Sequence, residues 1–148
     1  MSQPFETKSL SDEPDHLAPD GSEIRVLVST GKAGLAHIRL APGAVTIAVA
    51  HRTIDELWYV LAGQGRIWRR MGEQESIVDV GPGDSISLPL GTAFQFRAEG
   101  DEPFEAVTAT TPPGRAATRP FRSGASGRRR FEPRRAQPAQ PLARMLRT

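Results

Sequence analysis

The sequence predicts an all-β domain between about Glu23 and Thr111, on three observations. Short runs rich in β-branched and aromatic residues recur there at hairpin spacing. Clusters containing Gly and Pro stand between them. No segment of the region places apolar residues at helical spacing over more than two turns. A chain of 148 residues is long enough for one domain with a real core and too short for two ordinary ones.

The expected strands, in order, are Glu23–Thr30, Leu35–Ala41, Val45–Arg52, Glu56–Leu61, Arg66–Met71, Ser76–Val80, Ser85–Leu88, Ala93–Ala98 and Phe104–Ala109. The turns between them include Thr-Gly-Lys-Ala-Gly at 30–34, Ala-Pro-Gly at 41–43, Ala-Gly-Gln-Gly at 62–65, Gly-Pro-Gly-Asp at 81–84 and Glu-Gly-Asp-Glu-Pro at 99–103. Many short strands with such punctuation argue for a sandwich or barrel.

The ends of the chain read differently. Residues 1–22 are polar and acidic, with Ser-Asp-Glu-Pro-Asp at 11–15 and Ala-Pro-Asp-Gly at 18–21. They are expected to form a mobile arm with a short ordered piece leading into the first strand. From Gly114 to Thr148 ten arginines face the single Glu132, a net of +9, which leaves residues 1–113 at −7. The overall +2 therefore conceals an acidic body and a basic tail. The tail has few aliphatic residues and is expected to be disordered. Its clusters Arg128–Arg130 and Arg134–Arg135 suit nonspecific contact with nucleic acid or another polyanion, with little aromatic interleaving beyond Phe121 and Phe131.

With no cysteine in the chain, disulfides, thiolate metal sites and a cysteine nucleophile are excluded. The N-terminus lacks a basic start followed by an apolar run, and no stretch approaches the ~18–20 apolar residues of a membrane span. A soluble, cytoplasmic protein without membrane contact is expected.

From Gly43 onward the sequence resembles the cupin superfamily. The first cupin motif runs G-x5-H-x-H-x3,4-E-x6-G, and the chain has Gly43, Val49, His51, Glu56 and Gly63 at those places. The second runs G-x5-P-x-G-x2-H-x3-N, and the chain has Gly83, Pro89, Gly91, Phe94 and Ala98. The turn glycines and the proline all match, and the resemblance covers about ninety residues. It implies a jelly-roll barrel with a pocket between its two sheets, a small single domain over 23–113 and, by analogy, a homodimer through sheet edges. Relatives of this barrel type run on past the last strand with an acidic, Trp-containing ending. Here Thr-Pro-Pro at 111–113 is followed by an Arg/Pro/Ala-rich string whose composition resembles GC-rich DNA read in a shifted frame.

The resemblance also implies a metal held by three His and one Glu, but Val49 and Phe94 occupy two of the four ligand places. His51 and Glu56 remain as the metal-ligand candidates. An imidazole and a carboxylate suit Zn, Fe, Mn or Ni, and two ligands alone hold such an ion weakly. The same two residues are the catalytic candidates, since a carboxylic acid desolvated by aromatic neighbours suits general acid or base work. The alternative to both is a hydrogen-bonded pair satisfying itself in an apolar barrel.

Strand alternation puts Val45, Ile47, Val49 and His51 on one interior face, with Glu56, Trp58 and Val60 on the next strand. Phe94 and Phe96 also point inward in this register. A slip of one residue would instead bring in Ala93, Gln95 and Arg97. Val49, Trp58, Phe94, Gln95 and Phe96 are thus the substrate-binding candidates. His37 shares a face with Leu35 and Arg39, opposite the more apolar Ala36, Ile38 and Leu40, and is expected outside. His16, in the arm, is expected in solvent.

Three functions are compatible with these residues. The first is a small-molecule-binding cupin with little or no metal, catalysing isomerisation, epimerisation or lyase chemistry through Glu56 and His51. The second is a metal-dependent enzyme, dioxygenase-like or sugar-phosphate-isomerase-like. The third is a ligand sensor or interaction module whose tail binds a polyanion. Fold by itself does not choose among them.

Overall fold

The computed structural model describes residues 5–113. The expectations for residues 114–148, their polyanion contact and their reading frame lie outside the described residues. Ten strands follow one another: β1 (His16–Leu17), β2 (Glu23–Ser29), β3 (Gly34–Leu40), β4 (Val49–Ala50), β5 (Asp55–Ala62), β6 (Gln64–Met71), β7 (Gln74–Val80), β8 (Ser85–Leu88), β9 (Ala93–Glu99) and β10 (Phe104–Thr111). They form two antiparallel sheets, ordered β1-β2-β3-β10-β5-β8 and β4-β9-β6-β7. This is the all-β arrangement that the strand pattern predicts and the jelly roll that the cupin resemblance implies.

The core lies between the sheets because each strand commits one face to it. On β5, Glu56, Trp58 and Val60 are buried while Leu57, Tyr59 and Leu61 are exposed. On β9, Phe94, Phe96 and Ala98 face the same core. Trp58 meets Phe96 edge-on at 4.9 Å and Phe94 at 5.9 Å between ring centroids, the T-shaped geometry that favours aromatic pairs. Phe104 closes this cluster 5.9 Å from Phe96. Its ring lies so near Gly65 that an added Cβ would fall 2.7 Å from Phe104 Cε2.

The β5–β6 connection needs glycine at position 63. Gly63 takes φ +73°, and a Cβ there would lie 2.1 Å from the carbonyl oxygen of Pro103. Both backbone conformation and space therefore exclude a side chain.

The strand expected over Val45–Arg52 is reduced to Val49–Ala50, with an isolated bridge from Val45 to Arg97. Side chains replace part of the ladder. The Thr46 hydroxyl accepts the Phe96 N–H at 3.1 Å, and Gln95 Nε2 donates to the Thr46 carbonyl at 2.7 Å. The alternation expected from Val45 to His51 fails over Val45 to Ile47, while Val49 and His51 keep their expected face. Val45 packs with Ala48 and Ala50 against Trp68 on a separate cluster, and Ile47 is 41% exposed.

The ordered piece of the N-terminal arm is β1, which pairs with β2 through His16↔Ile24 and Leu17↔Glu23. Upstream of it the arm is tied to the same strand. Arg25 donates from Nε to the Ser11 carbonyl at 2.8 Å and from Nη2 to the Asp12 carbonyl at 2.7 Å. The Asp15 carboxylate accepts the Val26 N–H at 2.7 Å.

His37 is on the face opposite the core residue Ile38, as the pattern predicts, but only 2% of it is exposed. Arg25 is its partner across the β2–β3 ladder, and its Nε2 lies 3.2 Å from Glu105 Oε1. An outer face of a sheet is thus not solvent here.

Candidate functional site

A cavity of about 320 Å³ opens between the sheets. Its volume is at the small end of ligand pockets and equals about ten water molecules. β4 and the residues after it deliver Val49 and His51 to its wall, β5 delivers Glu56 and Trp58, and β9 delivers Phe94 and Phe96. The β9 register is the unshifted one, since Val49 pairs with Phe94. Gln95 consequently lies on the other face, opposite Trp68 in the β6–β9 ladder, and its side chain is engaged by Thr46.

The polar centre is a chain of three side chains. Glu56 is buried, and its Oε1 accepts the Trp58 Nε1–H at 2.8 Å. His51 Nε2 lies 2.7 Å from Glu56 Oε2. Apart from that contact, Oε2 has no hydrogen-bond partner among the described residues. The His51 ring leans on Phe94 at 5.3 Å. Its backbone carbonyl accepts the Gly91 N–H at 2.9 Å, which anchors the segment to the β8–β9 turn.

Further polar residues that sequence reasoning missed reach this cavity, Asp20, Thr108 and Thr110 among them. Thr108 and Thr110 of β10 stand beside Trp58 and Glu56 in the ladder and line the wall. Asp20 comes from the Ala-Pro-Asp-Gly turn. Its Oδ1 accepts both the N–H of Ser22 at 2.9 Å and the Ser22 hydroxyl at 2.6 Å, an Asx-type turn. Its carbonyl accepts the Ile47 N–H at 3.2 Å. That contact joins the turn to the segment before β4.

Burial pushes the Asp20 carboxyl above the ordinary carboxylate range. The two Ser22 hydrogen bonds oppose that rise, the Glu56 charge adds to it and His51 works against it. The carboxylates of Asp20 and Glu56 and the His51 imidazole therefore act on one another. His16 also lines the cavity and is half-buried, so it is not the solvated arm residue expected from sequence.

The donor set does not fit a tightly held metal. Val49 and Phe94 stand where imidazoles would be, and both face the cavity with groups that offer no lone pair. Among the described residues no group of three or more His, Asp or Glu side chains is placed to hold an ion. Asp20 acts on the His51–Glu56 pair by charge without completing a ligand set.

Residues 36–110 match the Cupin domain family. No curated protein matches the chain. Among solved structures, a predicted oxalate decarboxylase of Thermotoga maritima is similar at a TM-score of 0.60 and 18% identity, covering 72% of this chain and 98% of that one. KdgF from Halomonas sp. is similar at 0.54 and 18% identity, covering 62% and 78%. CENP-C of Drosophila melanogaster, solved bound to CAL1, is similar at 0.55 and 19% identity, covering 60% and 73%. These identities speak for a shared fold alone. With the family match over half its length, two antiparallel sheets and a cavity between them, this chain belongs to the cupin family.

Proposed function

We propose that this cupin binds a small, largely apolar molecule in its barrel and moves a proton on it through Glu56 and His51, without a resident metal. The supporting observation is the 2.7 Å approach of an imidazole and a carboxylate inside an aromatic-walled cavity. Such a pair suffices for isomerase, epimerase or lyase chemistry. Glu56 takes a proton from a carbon beside a carbonyl, the electron pair moves onto the carbonyl oxygen, and the proton returns to the other face or the neighbouring carbon. Trp58 holds the other carboxylate oxygen and so fixes the direction in which Oε2 works.

The likeness to a predicted oxalate decarboxylase does not extend to its ligand in this reading. A dianion would meet Asp20 and Glu56, and the described lining contains no Lys or Arg to receive it.

Elemental analysis of untagged protein tests the metal-free part: well under one transition-metal ion per chain is expected. Near-stoichiometric metal that disappears in His51→Ala and Glu56→Ala would support a metal enzyme instead. For the chemistry, ligands found by calorimetric screening are incubated in deuterated water. Exchange of a carbon-bound proton, lost in Glu56→Gln while binding persists, is the expected result.

A further inference from the structure

The cavity has an electrostatic bias that its aromatic walls do not suggest. Two carboxyl groups, Asp20 and Glu56, line it together with the imidazoles of His16 and His51. No Lys or Arg is present in the described lining. With either of the two lining histidines neutral, two ionised carboxylates leave an excess negative charge in a partly enclosed, low-dielectric space, where charge interactions are stronger than in water. Glu56 is 93% buried, and the described residues offer its Oε2 no partner besides His51. Trp58 and Phe94 present π systems along the same wall, and aromatic faces attract cations.

We propose that the pocket selects a ligand carrying one basic nitrogen on a small apolar body, with the ammonium group held at Asp20. Asp20 is then the specificity-determining residue, and the apolar body lies against Trp58, Phe94 and Phe96. This assignment rests on the reading of the cavity as a small-molecule site and narrows it to one substrate class. Asp20 takes the charged end, and the reacting carbon falls beside Glu56. The Asx-type turn supports this division. Ser22 fixes Oδ1 through two hydrogen bonds, so the Asp20 carboxylate is oriented before a ligand arrives.

The test uses the full chain, EDTA-containing buffer and three probes of one shape: cyclohexylmethylamine, cyclohexylmethanol and cyclohexanecarboxylate. Isothermal titration should show the amine binding roughly tenfold more tightly than the alcohol, with the carboxylate weakest. Asp20→Asn, which keeps an acceptor for Ser22, should bring the amine to within about twofold of the alcohol. Glu56→Gln provides a second variant in which the amine preference should shrink. Equal binding of amine and alcohol, or an amine preference that survives Asp20→Asn, overturns the assignment while leaving the pocket reading intact. Tightest binding of the carboxylate does the same. No binding of any probe at millimolar concentration would remove both.

Discussion

Trp58 and Glu56 stand two residues apart on one face of β5, and the indole N–H of the first donates to the carboxylate of the second at 2.8 Å. Alternation along a strand makes this pairing possible, because positions i and i+2 point the same way. The indole therefore serves both as the largest ring of the core and as a polar anchor for the site.

Trp58→Phe separates those two roles. The phenyl ring retains most of the apolar contact but leaves Glu56 Oε1 without its indole donor. A cost of about 1–3 kcal/mol is expected from a buried carboxylate losing a hydrogen bond. Urea unfolding measures it, and a change below ~0.5 kcal/mol would mean that the bond is not maintained in solution.

Restoring ligand places should create a metal site of a kind not found among the described residues. Val49 and Phe94 are paired across the β4–β9 ladder and face the cavity with His51 and Glu56. In the double variant Val49→His/Phe94→His, three imidazoles and one carboxylate would surround one point, as transition metals require. Zinc retained after dialysis should rise from far below one ion per chain to about one. No gain would place one of the two side chains elsewhere in solution.

Arg25 ties the N-terminal arm to the barrel. Its guanidinium bonds to the Ser11 and Asp12 carbonyls, and the Asp20 turn follows a few residues later. Arg25→Met should release residues 6–17. Hydrogen exchange at Asp15 and Ala18, whose amides bond to Ile24 and Ser22, should accelerate by roughly tenfold or more, while the β5 and β9 amides remain protected. Unchanged exchange in the arm would show that β1 pairing alone holds it.

His37 gives stability an acid-side limit. Burial lowers its proton affinity below the ordinary value of 6.5, the Glu105 carboxylate partly offsets that, and Arg25 and Arg39 reinforce it. A histidine that is harder to protonate folded than unfolded contributes stability above pH 6.5, and that contribution is lost as pH falls through the depressed folded value. Wild-type protein should lose several degrees of Tm more than His37→Gln between pH 7.5 and 5.5. Parallel Tm curves for the two proteins would show that His37 titrates normally.

Much of the barrel was legible because its information is local. On β5 and β9 each residue's face follows from its parity, and Glu56, Trp58, Phe94 and Phe96 reach the cavity as expected. The same rule failed from Val45 to Ile47. There the Thr46 and Gln95 side chains substitute for ladder bonds, and a parity count does not see such a substitution. His37 shows the other limit of parity: its face followed from the pattern, whereas its burial depends on what packs over that face.

The sequence by itself determined an all-β cupin domain and the inward-facing imidazole, carboxylate and aromatic rings of its pocket, since turn glycines and strand alternation are properties of neighbouring residues. Only the tertiary structure decided that Asp20 joins them. A turn at residues 18–21 meets His51 and Glu56 because a backbone hydrogen bond to Ile47 and the pairing of β1 with β2 fold it over the barrel. No spacing rule encodes an encounter between segments so far apart in the chain. The charge balance of the pocket is therefore a property of the fold.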